Sequence, residues 1–230
     1  MKISGSGRIS EGKINDELIV SGSARIEGDF ECNGFKSSGS LKGKGNLTVH
    51  GEVKSSGSFR LDGDLNSDGN ARFSGSTTVG GVLLVKGVVG SSGSFRIGNK
   101  VEGLQGIRLS GSSNVKGDVL SQKTIIIEGS TTINGDIKGE DVYIGRERLL
   151  RVRKLFKHPY KVYGHIFAEK DVDLIGTYVD GDVRGRNVKI GRATEVIGTV
   201  YYIDSIEIDP KATLINEPVQ KSFDDTQNLK

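Results

Sequence analysis

The chain has 230 residues, a net charge of +3, one cysteine and no tryptophan; 34% of it is apolar and 34 residues are glycine. With Cys32 alone, an intramolecular disulfide is excluded, as expected of a reducing compartment. No apolar run approaches the ~20 residues of a membrane-spanning helix, and Met1-Lys2-Ile3 leads straight into Ser-Gly-Ser, so no signal peptide and no N-terminal tail are expected.

In chain order, Gly-Ser pairs open at 5-6, 22-23 and 39-40, then recur every 18 residues at 57-58, 75-76, 93-94, 111-112 and 129-130. A fixed period of this size marks a stacked repeat. Four apolar columns run through it. The fourth residue after each glycine is Ile9, Ile26, Gly43, Leu61, Val79, Ile97, Val115 and Ile133. The eighth position holds Phe30, Leu47, Leu65, Leu83, Val101, Val119 and Ile137. Leu18, Phe35, Val53, Ala71, Val89, Ile107, Ile125 and Val142 form a third column, and Phe73, Ser91, Leu109, Ile127 and Ile144 a fourth. Between the columns lie turn and charged residues, so each coil alternates apolar and polar in short strand-like pieces. One coil alone buries almost nothing, whereas stacked coils bury continuous ladders.

Beyond Ile144 the Gly-Ser label is lost, but the columns return in coils that start at His158, Ile175, Arg192 and Pro210. The sequence therefore predicts an all-β protein: a single-stranded parallel β-helix of about twelve coils of 17–18 residues over 1–215. At ~4.8 Å per coil it would be on the order of 55 Å long. Glycine-rich corners are expected to use left-handed backbone angles. Residues 216–230, with Pro218 and little apolar content, read as a flexible tail.

One stretch breaks the frame. Residues 146–157 carry six basic side chains (Arg146, Arg148, Arg151, Arg153, Lys154 and Lys157) and one acidic one, so this insert holds +5 and the remaining chain −2. Leu149, Val152, Leu155 and Phe156 fall on roughly one helical face. Either the insert covers part of the rod, or it contacts an anionic membrane surface or an acidic partner.

Catalytic and ligand-binding patterns are weak. Asp29, Asp64, Asp118 and Asp136 recur after a glycine at matching positions, as a cation-binding row would. Gly-Asp is also simply a good turn pair, and the row is interrupted at Asn46, Val82 and Lys100. The column spacings of four, six, two and six depart from the strict six-residue period of β-helix acyltransferases. Three histidines, His50, His158 and His165, mark no metal site, and no phosphate loop or nucleophile elbow is present. No catalytic residue, cofactor, small-molecule substrate or nucleic-acid partner is expected, the rod outside the insert not being basic.

The runs at 21–30 (Ser-Gly-Ser-Ala-Arg-Ile-Glu-Gly-Asp-Phe), 56–65 (Ser-Gly-Ser-Phe-Arg-Leu-Asp-Gly-Asp-Leu) and 113–119 resemble the bactofilin family of polymer-forming cytoskeletal proteins. The stretch at 181–191 is most similar to the longer members of Gram-positive bacteria and some archaea. The resemblance implies a right-handed β-helix that polymerises end to end, without nucleotide, into non-polar cytoplasmic filaments, often at the membrane. The absent tail and the basic insert depart from that pattern.

Elementary physics also favours assembly, because a solenoid ends in unpaired strand edges and open core. The N-terminal end would present Ile3, Ile9, Ile14, Leu18 and Val20, and the C-terminal end Val200, Tyr202, Ile206, Ile208 and Leu214. A homopolymer is thus the leading expectation. A monomeric or dimeric β-helix binding module is the alternative, and a β-helix enzyme, acyltransferase or glycan-cleaving, comes third.

Overall fold

The computed structural model describes residues 1–145 and 158–222. Every described strand pairing is parallel, and each coil contributes one strand to each of three faces. The first face is a 12-stranded sheet running from Ser6–Ile9 and Ser23–Ile26 to Thr213–Leu214. The second begins at Gly12–Lys13 and Phe30–Cys32, and the third at Lys2–Ile3 and Glu17–Val20. Near the C-terminus the long strands Val183–Ile190 and Val200–Ile208 run round the corner between these two faces and join them into one sheet. The fold is a parallel β-solenoid of about twelve turns, as the periodicity predicts. Register is kept across the frame break, where Thr131 pairs with Tyr160 and Ile133 with Val162.

The core is richer than four columns. In the coil that starts at Gly57 the buried residues are Phe59, Leu61, Leu65, Ser67, Ala71 and Phe73, two per face. The faces therefore repeat every six residues, and the spacing argument against a six-residue period does not hold. Two columns escape a search for apolar residues because they alternate with hydroxyls: Ser67, Thr77 and Ser113 are at most 5% exposed. The alternation has a steric cause. Across the corner between the third and first faces, a large residue stands beside a small one: Ser55 with Phe59, Phe73 with Thr77, Ser91 with Phe95, Leu109 with Ser113. The rings interleave from coil to coil, with centroids 6.1 Å apart for Phe59–Phe73 and 5.8 Å for Phe73–Phe95. Two large residues in one coil would overfill this corner, and two small ones would leave a void.

The same corner explains the Gly-Ser label, and differently from the expectation of left-handed angles. Positive φ among the described glycines occurs at Gly12, Gly106, Gly145 and Gly176, none of them in a Gly-Ser pair. A Cβ on Gly93 would instead lie 2.0 Å from the carbonyl oxygen of Gly75, the equivalent glycine one coil below. Close approach of backbone to backbone, coil after coil, is what requires glycine there.

The C-terminal boundary also moves. Val219–Gln220 pairs with Tyr201 and Tyr202 as the last strand of the second face, and Gln220 Nε2 donates to Ile203 O at 3.0 Å. Residues 216–222 therefore belong to the rod rather than to a tail.

Candidate functional site at the rod ends

At the N-terminal end Lys2–Ile3, Ser6–Ile9 and Gly12–Lys13 each pair on one side only among the described residues. Ile3 and Ile14 are half-buried against the core, and Ile9 is buried. Leu18 and Val20 are fully buried, contrary to the sequence expectation that this end presents them. The reason is that Lys2 and Ile3 pair over Ile19 and Val20 and close the layer above them. The amino group of Met1 lies 3.6 Å from Asp16 Oδ2 and donates to Glu17 O.

At the C-terminal end Tyr202, Ile206 and Leu214 pack half-buried on the core, while Ile208 is 41% exposed. Val200 is fully buried, so it too lies inside rather than at the surface. Sequence reasoning missed Val219, 39% exposed, because it fell in the stretch read as tail, and Ile215, 59% exposed, because it stands one residue past the apolar column that ends at Leu214. Six large apolar residues are exposed among the described residues, and Met1, Ile208, Ile215 and Val219 of these stand at the ends. The described residues include no helix that covers either end.

The basic insert, with Arg146, Arg148, Arg151, Arg153, Lys154, Phe156 and Lys157, lies outside the described residues. Its anchors, Gly145 and His158, stand at the corner between the third and first faces.

The acidic row has a structural task. Asp29 Oδ1 accepts the backbone N–H of Asn46 at 2.7 Å, Asn46 Oδ1 that of Asp64 at 2.8 Å, and Asp64 Oδ1 that of Val82 at 2.7 Å. The ladder resumes from Asp118 to Asp136 and from Asp136 to His165, and Asp182 donates its N–H to His165 Nδ1 at 2.9 Å. Each side chain satisfies a corner amide of the next coil that no strand reaches. His158 serves another corner, 3.0 Å from Glu195 Oε2 and 3.1 Å from Ala193 O. Among the described residues no group of three or more His, Cys, Asp or Glu is placed to hold a metal. Cys32 is fully buried, and burial pushes its thiol up to about 11, which leaves it unreactive.

One exposed ladder is centred on a histidine. Lys13, Glu31, His50, Asp68 and Lys86 alternate in sign along successive coils, with His50 Nε2 2.6 Å from Glu31 and Nδ1 3.0 Å from Asp68. The hydrogen bonds to Glu31 and then Asp68 hold the imidazole above its ordinary 6.5. A raised pKa contributes stability that is complete below the unfolded value and is lost as pH rises through the folded one. The His50→Gln variant should therefore show a flatter dependence of Tm on pH between about 6 and 8, measured by thermal unfolding. The effect is small because the site is exposed, and an unchanged slope would remove His50 from the account.

The fold and its ends define the class: a parallel β-solenoid with open terminal strands and no described helix long and apolar enough to cross a membrane. Compared with known proteins, the chain matches no family model, no curated protein and no solved structure.

Proposed function

We propose that the protein is a structural scaffold that assembles end to end into filaments without nucleotide, in the manner of the bactofilins that its repeats resemble, and acts in the cytoplasm. The observation that carries this reading is the placement of exposed apolar side chains: Met1 at one end, Ile208, Ile215 and Val219 at the other. Strand edges and apolar residues meet at the same two surfaces. Stacking covers both at once, through backbone hydrogen bonds and burial. The test is electron microscopy of purified protein in nucleotide-free buffer. Filaments of the rod's width support the reading; a monodisperse monomer by light scattering at the same concentration leaves a β-helix binding module in its place.

The insert suggests where such a filament would be held. Six basic residues and five apolar ones in 146–157 suit an anionic bilayer, each Lys or Arg near such a surface being worth ~1 kcal/mol. Repetition along a filament would turn weak contacts into firm attachment. Deleting 146–157 should abolish salt-sensitive cosedimentation with anionic liposomes while polymerisation persists. Loss of folding on deletion would assign the insert to the rod instead.

A further inference from the structure

The charge of the rod is sorted by edge. Six successive coils cross the corner between the third and first faces through residues 19–26, 36–43, 54–61, 72–79, 90–97 and 108–115. These segments contain eight Lys and Arg and not one Asp or Glu; every carboxylate between residues 19 and 115 lies on the other parts of the coil. Net charge conceals this, because the opposite edges are acidic.

The cations form two rows. Lys36, Lys54, Arg72 and Arg108 project from the third face, and Arg25, Lys42, Arg60 and Arg96 from the first. Between them the corner offers hydroxyls in register: Ser40, Ser58, Ser76, Ser94 and Ser112 pair one with the next. Three carboxylates beside the edge engage cations, Glu17 with Lys36, Glu52 with Lys54 and Asp62 with Arg60, and Glu128, at the same corner one coil further on, engages Arg108. Arg25, Lys42, Arg72 and Arg96 have no ion pair among the described residues and are exposed.

A cavity of about 680 Å³ runs along the third-face side of this edge, lined by Lys36, Lys54, Arg72 and Arg108 together with corner serines such as Ser56 and Ser92. It is open above Gly90, where a Cβ would meet nothing but the Arg72 stem at 3.9 Å. Straight parallel register makes the groove linear, and five steps of ~4.8 Å make it about 24 Å long.

We infer that this edge binds a linear, phosphate-bearing polyanion laid along the rod axis, a chemistry shared by inorganic polyphosphate and poly(glycerol phosphate). Guanidinium and ammonium groups with interspersed hydroxyls are donors without acceptor charge, which is what phosphate oxygens recognise. Single-stranded nucleic acid fits less well, because it uses exposed aromatic platforms, whereas Phe59, Phe73 and Phe95 at this corner are all buried. A bilayer contact would call for apolar side chains that enter the interface, and Val88 is the one exposed large apolar residue in the groove.

The experiment is fluorescence anisotropy with end-labelled polyphosphate, labelled poly(glycerol phosphate) and a single-stranded DNA oligomer of equal charge, each titrated with the full chain at low salt. The two phosphate polymers are expected to bind more tightly than the DNA, with affinity falling steeply as salt rises; the tighter of the two identifies the source. Arg72→Glu with Arg96→Glu should weaken binding at least about tenfold. Lys116→Glu with Lys138→Glu makes the same change of charge off the edge, at the first-to-second corner and on the second face, and should keep affinity within about twofold. Circular dichroism checks both folds, and Arg72→Gln with Arg96→Gln replaces the reversal if that variant misfolds. The inference is overturned if neither phosphate polymer binds, if DNA binds more tightly, or if the two pairs of substitutions weaken binding equally.

Discussion

Val115→Asp or Ile133→Asp is expected to leave the protein insoluble or without its β-type circular dichroism spectrum. Both positions are fully buried in the first face, where Val115 pairs with Ile97 on one side and Ile133 on the other. An aspartate there meets aliphatic neighbours above, below and across the core. An isolated buried carboxylate costs at least several kcal/mol, even when it escapes by taking up a proton. Solenoid stability is a sum of nearest-neighbour terms, so a fault in mid-rod uncouples the coils on its two sides and exposes two new edges. A position on the outer surface of the same strand gives the control: Asn114→Asp, whose side chain is half-exposed, should fold normally. Soluble Val115→Asp with an unchanged spectrum would mean that the inward column is wrongly placed.

That column was legible because aliphatic residues fill it without exception from Leu61 to Ile133. The fold class, the coil length and the frame break all follow from such columns. The columns through Thr77 and Ser67 were not legible, since a buried hydroxyl and an exposed one look alike in sequence. Only the partner across the corner, Phe73 for Thr77, tells them apart, and that pairing exists in three dimensions. The corner glycines were recognised as a period but assigned the wrong cause, because a required close approach and a required positive φ select the same residue. Burial of Leu18, Val20 and Val200 was missed for a similar reason: membership of a terminal coil does not say which strand lies outermost. The basic edge was hidden by a net charge near zero outside the insert. Sorting charges by their place in the coil, instead of along the chain, separates Arg72 and Arg96 from Asp62 and Asp64.

Ile206→Lys combined with Ile208→Lys is expected to stop filament growth and leave the rod folded. Ile206 and Ile208 pair with Val188 and Ile190 on their inner side and, among the described residues, with no strand on the other. Two lysines there can place their ammonium groups in solvent and lay their stems over the core, so the last coil should survive. Assembly is another matter. Either partner, a second C-terminal end or an N-terminal one carrying Ile3 and Ile14, would have to desolvate both charges where the wild-type contact buries apolar side chains. Burying unpaired ammonium groups costs more than two isoleucines contribute by burial, about 1.5–3 kcal/mol each. Polymerisation magnifies the deficit, since the same contact recurs at every junction. The check is electron microscopy and sedimentation of the double variant beside wild type, with circular dichroism and Tm to establish that the rod is intact. If filaments of normal length persist with both lysines in place, this end is not the junction, and the rods associate through their faces.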